Sequence, residues 1–255
     1  TNKFVSVGLK DKYDTTEIHV DVNLVHNDIL DLEAYFKSTT DIDQAEFELE
    51  GGEYKCGWAI EKMSKSLFNV VNPDEIVKKY GADTLRMYEM FLGPLEQSKP
   101  WDTNGIDGVF KFLRRLWNFC TAEPLSDETP CAVSTRVIHN TIKQVTEGIE
   151  TLSFNVCVSR FMIALNELID LHCNKRAVLK PFLILLAPFA PHIASELWKQ
   201  LGFDGTVLTA QWPVYNTVLL EEESFECPVS FNGKMRFTLR IKRNLPAAEV
   251  EKIVL

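Results

Sequence analysis

The sequence predicts a multi-domain α+β fold made of four parts: a small acidic β-rich insertion, a short Lys/Ser loop, a mainly α-helical bundle, and the start of a small α+β C-terminal domain. Three observations predict it. Polar and apolar residues alternate at period two within the first 60 positions, apolar residues recur at helical spacing from Ile106 onward, and the two-residue alternation returns after Pro228. A chain of 255 residues, 45% apolar and 25% charged, is long enough for more than one core.

Glu17–Leu24 alternates strictly, which predicts a strand with Ile18, Val20, Val22 and Leu24 on one face. Glu46–Glu50 repeats the pattern, Gly51-Gly52 supplies a positive-φ turn, and Glu53–Trp58 returns, which predicts a hairpin. Asp28–Lys37 carries a weaker helical pattern, and His19 and His26 read as structural polar residues. Asn72-Pro73-Asp74-Glu75 combines an N-cap, a first-turn proline and two acids at the positive end of the dipole, so a helix runs from Pro73 until Gly81 closes it. A second helix starts near Ala82 or Asp83 and ends before Gly93-Pro94.

From Ile106 the residues Val109, Phe110, Phe112, Leu113, Leu116, Trp117 and Phe119 form one broad apolar face and leave Lys111, Arg114 and Arg115 on the other side. Residues 123–134 read as a polar linker, followed by helices through Val137–Ile149 and, capped by Ser153, through Val156–Leu171. Pro181 and Pro191 read as helix starts, and the all-round apolar stretch Phe182–Ile193 belongs in the middle of the bundle, where His192 packs or caps. Pro228–Phe231, the turn Asn232-Gly233 and Lys234–Ile241 predict a second hairpin with Lys234, Arg236, Thr238 and Arg240 on one side of its second strand, and a helix begins near Ala247.

Charge divides along the chain. The net charge is −9, of which residues 1–60, with 13 acidic and 5 basic side chains, hold −8. From Val229 to the end six basic residues face two acidic ones. A local basic patch of this kind, rather than the whole-chain sum, governs contact with phosphate backbones. The six cysteines show no C-x-x-C pair and no histidine at ligand spacing, so neither a protein-bound metal nor a disulfide framework is expected, and reduced thiols in the cytoplasm are. No apolar run approaches the ~18 residues of a membrane span. The opening Thr-Asn-Lys-Phe has no start Met and no signal pattern, and the last helix lacks a stop signal, so a segment of a longer chain is expected.

The loop between the two halves is Glu61-Lys62-Met63-Ser64-Lys65-Ser66. Two ammonium groups three positions apart, with hydroxyls between and after them, make a set of donors that can converge on one polyphosphate. A K-x-S-K string is usually a solvated turn, but five specified residues arise by chance only about once in ten thousand chains of this length.

The string Lys-Met-Ser-Lys-Ser is the signature loop of class I aminoacyl-tRNA synthetases. With it stand Asn72-Pro73-Asp74, Gly81–Arg86, Met90–Glu96, Trp101 with Gly105–Gly108, Leu185–Ile193 with Leu197-Trp198, Trp212-Pro213 and Asn232-Gly233-Lys234. On these residues the chain resembles the C-terminal half of bacterial-type leucyl-tRNA synthetases. Isoleucyl, valyl and methionyl synthetases share the loop and the helical domain, and a non-catalytic tRNA-binding module is a further alternative. Gly93-Pro94-Leu95-Glu96 and the acidic segment before the loop favour leucine.

The resemblance implies a leucine-specific-like insertion over residues 1–60, the signature loop and a helical connector over 61–106, an anticodon-binding-type helical domain over 107–215, and the beginning of a C-terminal α+β domain over 216–255. It implies ATP-dependent ligation of leucine to tRNA(Leu) through leucyl-adenylate. Lys65 and Lys62 would be the catalytic cations, with Met63, Ser64 and Ser66 completing the ATP contacts and Mg²⁺ arriving with the ATP. Lys111, Arg114, Arg115, Lys234, Arg236 and Arg240 would be backbone contacts to tRNA. The leucine pocket and the rest of the nucleotide site would lie outside this segment, which by itself should then not activate leucine. A monomer without membrane contact is expected.

Overall fold

The structure is a computed structural model; it describes residues 3–39, 45–102, 105–220, 224–231, 234–242 and 249. The chain divides into two compact units, residues 1–79 and 80–255.

In the first unit β structure is sparse. Strand β1 (Lys3–Val5) is followed by the two-residue strands β2 (Val25–His26) and β3 (Ile29–Leu30), helix α1 (Leu32–Ser38) and β4 (Glu46–Glu48). β1 runs parallel to β4 with Phe4 opposite Phe47, and these rings stack at 4.9 Å. The edges of Tyr35, Phe36 and Tyr54 surround Phe47, giving this unit an aromatic core. Asp31 caps α1 by accepting the N–H of Ala34 at 3.0 Å. Ser6 is fully buried: its N–H donates to Glu48 O, its hydroxyl donates to Glu53 O, and that same hydroxyl oxygen accepts from Lys55 N–H.

Two expectations about strands need correction. Gly51 and Gly52 do form the turn, at φ +68° and +90° between Glu50 and Glu53, but the arms part after that bridge because Glu46–Glu48 pairs with β1 instead. Glu17–Leu24 is not a strand. Among the described residues no strand pairs with it, Ile18 stays 60% exposed, and Asp21 bonds the N–H of Asn23 to start a short 3₁₀ turn at Val22–Leu24. Local Asx bonding there replaces a ladder.

Helix α2 (Pro73–Tyr80) begins where Asn72 Oδ1 accepts the N–H of Asp74 at 3.0 Å. Gly81, at φ +89°, separates it from α3 (Ala82–Phe91). The second unit continues with α4 (Ile106–Ala122), α5 (Ala132–Glu150), α6 (Phe154–Asp170), α7 (Arg176–Leu186) and α8 (Pro191–Gln200). The core is all-apolar at its centre: Phe161 meets Phe182 and Phe189 edge-on at 5.8 and 5.2 Å among the fully buried Val158, Leu168 and Leu183.

Helix α5 approaches α6 so closely at Gly148 that a Cβ there would lie 2.4 Å from Cys157 Sγ. Arg160 crosses the same interface, its Nε donating to Thr141 Oγ1 and its guanidinium to Val137 O, and burial pulls its pKa down. Pro191 opens α8 as expected, whereas Pro181 lies inside α7. A mid-helix proline costs about 3 kcal/mol, and the burial of Val178, Phe182, Leu183, Leu185 and Leu186 along that helix offsets it.

The last elements, β5 (Ser224–Phe231) and β6 (Lys234–Lys242), pair antiparallel as the sequence predicts; the turn Asn232-Gly233 and all but one residue of the helix expected from Ala247 lie outside the described residues. The register slips between Val229 and Ser230, so Arg236 is an extra residue opposite that step and the two-residue period expected from Lys234 to Arg240 is broken. Among the described residues no helix is long and apolar enough to cross a membrane, and no cluster of three or more His, Cys, Asp or Glu could hold a metal ion.

Candidate functional site

Lys62–Ser66 folds as a compact loop closed by one side chain that the motif does not include. Asn69 Oδ1 accepts the N–H of Ser64 at 2.7 Å, and Asn69 Nδ2 donates to the carbonyl of Lys62 at 3.2 Å. A single carboxamide thus clamps the backbone on both sides of Met63. Ser64 and Ser66 hydroxyls bond each other at 2.8 Å, and Lys65–Leu67 forms a 3₁₀ turn ended by Phe68 in the left-handed region at φ +54°.

Lys62 and Lys65 are exposed, and neither ammonium forms an ion pair with the described residues. The loop therefore presents two uncompensated cations and two hydroxyls from a fixed backbone, which suits a polyanion. Met63 is 46% exposed beside them.

Among the described residues the acidic segment contacts both flanks of this loop. His19 Nε2 meets Glu61 Oε2 at 2.8 Å, the N–H of Val22 donates to Phe68 O at 3.0 Å, and Asn23 Nδ2 reaches Val70 O at 3.5 Å. The stretch expected to be a strand is instead a strap along the loop. Asn69 was missed by motif reading, although a lone Asn within Leu67-Phe68-Asn69-Val70-Val71 is the kind of polar residue that serves neighbouring backbone groups.

In the second unit, Lys111, Arg114 and Arg115 project from α4 into solvent, as the helical face predicts. Arg236 is exposed on β6, while the side chains of Lys234 and Arg240 lie outside what is described. At the start of α3, Asp83 takes the N-terminus of α8: it accepts from His192 Nδ1 and Ile193 N–H at 2.7 Å each, and from His192 N–H at 3.3 Å. His192 is therefore part of a cap, in line with its expected packing or capping role. Arg86 from the same helix donates to Pro188 O in the turn before α8. Cys131, at the N-cap of α5, is exposed and held below the usual thiol range by bonds from the Ser134 hydroxyl and backbone N–H. Burial pushes Cys120 up to about 12 and Cys157 up to about 11.

A family profile described as class I tRNA synthetases (I, L, M and V) matches residues 59–101, which hold the loop, and one described as the anticodon-binding domain of tRNA ligase matches 135–253. A leucine–tRNA ligase of Parabacteroides distasonis is 57% identical across the whole chain, and one of Cytophaga hutchinsonii is 58% identical, again across the whole chain. The chain spans only 27% and 28% of the length of these curated relatives. A solved structure, the ternary complex of Agrobacterium radiobacter K84 agnB2 LeuRS with tRNA and LeuAMS, is similar over 82% of this chain and 29% of its own, at 27% identity and a TM-score of 0.60. With identity above one half sustained from end to end, the chain belongs to the leucine–tRNA ligase family of class I tRNA synthetases.

Proposed function

We propose that this chain supplies the signature loop and the tRNA-docking helical part of an enzyme that joins leucine to tRNA(Leu) at the expense of ATP, through leucyl-adenylate. The observation that carries the reading is the loop itself: Lys62 and Lys65 stand exposed, without an ion-pair partner among the described residues, on a backbone clamped by Asn69. In-line attack of a carboxylate on the α-phosphate builds charge on the departing pyrophosphate. Cations that reach that charge more closely in the transition state than in the ground state raise the rate. Lys65 takes this role first and Lys62 second. Ser64, Ser66 and loop amides donate to the phosphates, Met63 lies beside the nucleotide, and Mg²⁺ comes with the ATP rather than from a protein cage.

Residues 1–60 form the insertion that straps the loop, 61–106 the loop and connector, 107–215 the helical docking domain, and 216–255 the start of a small C-terminal domain. Lys111, Arg114, Arg115, Arg236, Lys234 and Arg240 contact tRNA phosphates and position the RNA without reading its bases. The enzyme works as a cytoplasmic monomer. The test is leucine-dependent ATP–pyrophosphate exchange by the full-length protein, assayed against isoleucine, valine and methionine. Preference for leucine supports the reading and preference for another of the three overturns it; robust exchange by residues 1–255 alone would overturn the division of the active site.

A further inference from the structure

The groove between the starts of α3 and α8 and one face of α4 has features the phosphate-docking reading does not use. It encloses about 380 Å³ and is lined by Phe110, Arg114 and Trp117 of α4, Asp83 of α3, and His192 and Ile193 of α8. This volume lies in the ~300–1,000 Å³ range of small-ligand sites. Phe110, Arg114 and Trp117 fall at i, i+4 and i+7 and so share one stripe of the helix. Both rings are only half-buried, and the Arg114 guanidinium already stands 5.8 Å from the centre of the Phe110 ring. The His192 side chain is 73% exposed, and its bond to Asp83 through Nδ1 leaves Nε2 open on the far side of the ring. The Asp83 oxygens are occupied by three N–H donors and its side chain is only 10% exposed, so it presents little acceptor surface to the groove.

Two half-buried aromatic rings, one of them with Tyr80 edge-on at 5.6 Å and the Arg114 guanidinium nearby, and an imidazole oriented by Asp83 are parts suited to an unpaired nucleobase, and the phosphates flanking such a base would meet Arg114 and its exposed neighbours Lys111 and Arg115. A simple apolar ligand would leave these cations unused. We propose that this groove receives one unpaired base of the bound tRNA, stacked on Trp117 and Phe110. The inference rests on the tRNA-docking reading and adds a base subsite to its backbone contacts.

Two measurements on the full-length protein test it. The first is photo-cross-linking with a leucine-accepting tRNA in which 5-iodouridine replaces uridine. An adduct on the peptide holding residues 105–122 supports the groove, and adducts confined to other peptides overturn it, with no variant needed. The second is filter binding against ionic strength for the same tRNA and for hexa-adenylate. Trp117→Leu should weaken both by about ten-fold with the salt slope kept, whereas Arg114→Gln should also lower the slope by about one. Wild-type affinity for both ligands in both variants overturns the base subsite while the docking reading survives, provided tRNA affinity still falls with salt. Tighter binding of an apolar peptide than of hexa-adenylate assigns the groove to a protein partner and overturns the proposal. Absence of any salt dependence in the wild type removes the docking reading itself.

Discussion

Asp83 and His192, 109 residues apart in sequence, form one cap: the Asp83 carboxylate, 8% exposed, takes the His192 imidazole N–H and two backbone N–H groups at the head of α8. The sequence supplies α8 with Ala190 where a side-chain cap would normally sit, so the tertiary fold brings an acid from α3 to do that work. Asp83→Ala should lower the stability of the helical unit by about 2 kcal/mol, because it removes a buried charge-assisted cap and leaves first-turn donors unsatisfied. Asp83→Asn, which keeps an acceptor, should cost about half as much. Urea unfolding read by far-UV circular dichroism checks both, and equal midpoints for Asp83→Ala and wild type would refute the role.

Gly148 sits where α5 and α6 touch, with a Cβ position 2.4 Å from Cys157 Sγ. Gly148→Ala is expected to destabilise by about 1–3 kcal/mol through overpacking. Adding Cys157→Ala removes the obstructing sulfur, so the double variant should be more stable than the two single effects summed. Strict additivity in thermal unfolding would rule out the contact.

His139 accepts the backbone N–H of Asn216 on Nδ1 at 3.1 Å, and burial lowers its pKa below the usual 6.5. The unfolded chain then binds the proton more readily than the folded one, so this contribution is complete above about pH 6.5 and is lost as pH falls through the folded pKa. The melting temperature should therefore drop more between pH 7.5 and 5.5 in the wild type than in His139→Asn, which keeps an acceptor and does not titrate. Parallel pH profiles would contradict this.

Asn69 fixes the signature loop from outside the motif. Asn69→Asp keeps the bond from Ser64 N–H but sets an acceptor against the carbonyl of Lys62. In the full-length enzyme the exchange rate should fall by about ten- to a hundred-fold through misplacement of the lysines, with little change in melting temperature. An unaltered rate would mean that the loop does not need its clamp.

Much of the helical unit is legible in sequence because its determinants are local. Asn72-Pro73 starts α2, Gly81 separates α2 from α3, Pro191 opens α8, and the apolar spacing along α4 leaves Lys111, Arg114 and Arg115 outward. The elements that depart from their local pattern depend on packing and pairing beyond their own residues. Glu17–Leu24 has the period of a strand, yet no strand among the described residues pairs with it, and its Asp21 and Asn23 bond locally and to Val70 just after the loop. Pro181 looks like a helix start, but the burial of the apolar residues around it carries α7 through. The five-residue motif marks the loop, whereas the side chain that closes it and the strap that runs beside it emerge only from the fold.

On the proposed function, the exposed ammonium groups of Lys62 and Lys65 act on the departing pyrophosphate. The most direct test is steady-state leucine-dependent ATP–pyrophosphate exchange by the full-length enzyme with Lys65→Ala. kcat should fall about 10²–10³-fold with the KM for leucine nearly unchanged, as for loss of a donor that acts mainly in the transition state. An unchanged kcat, or a loss confined to the KM for leucine, would contradict it.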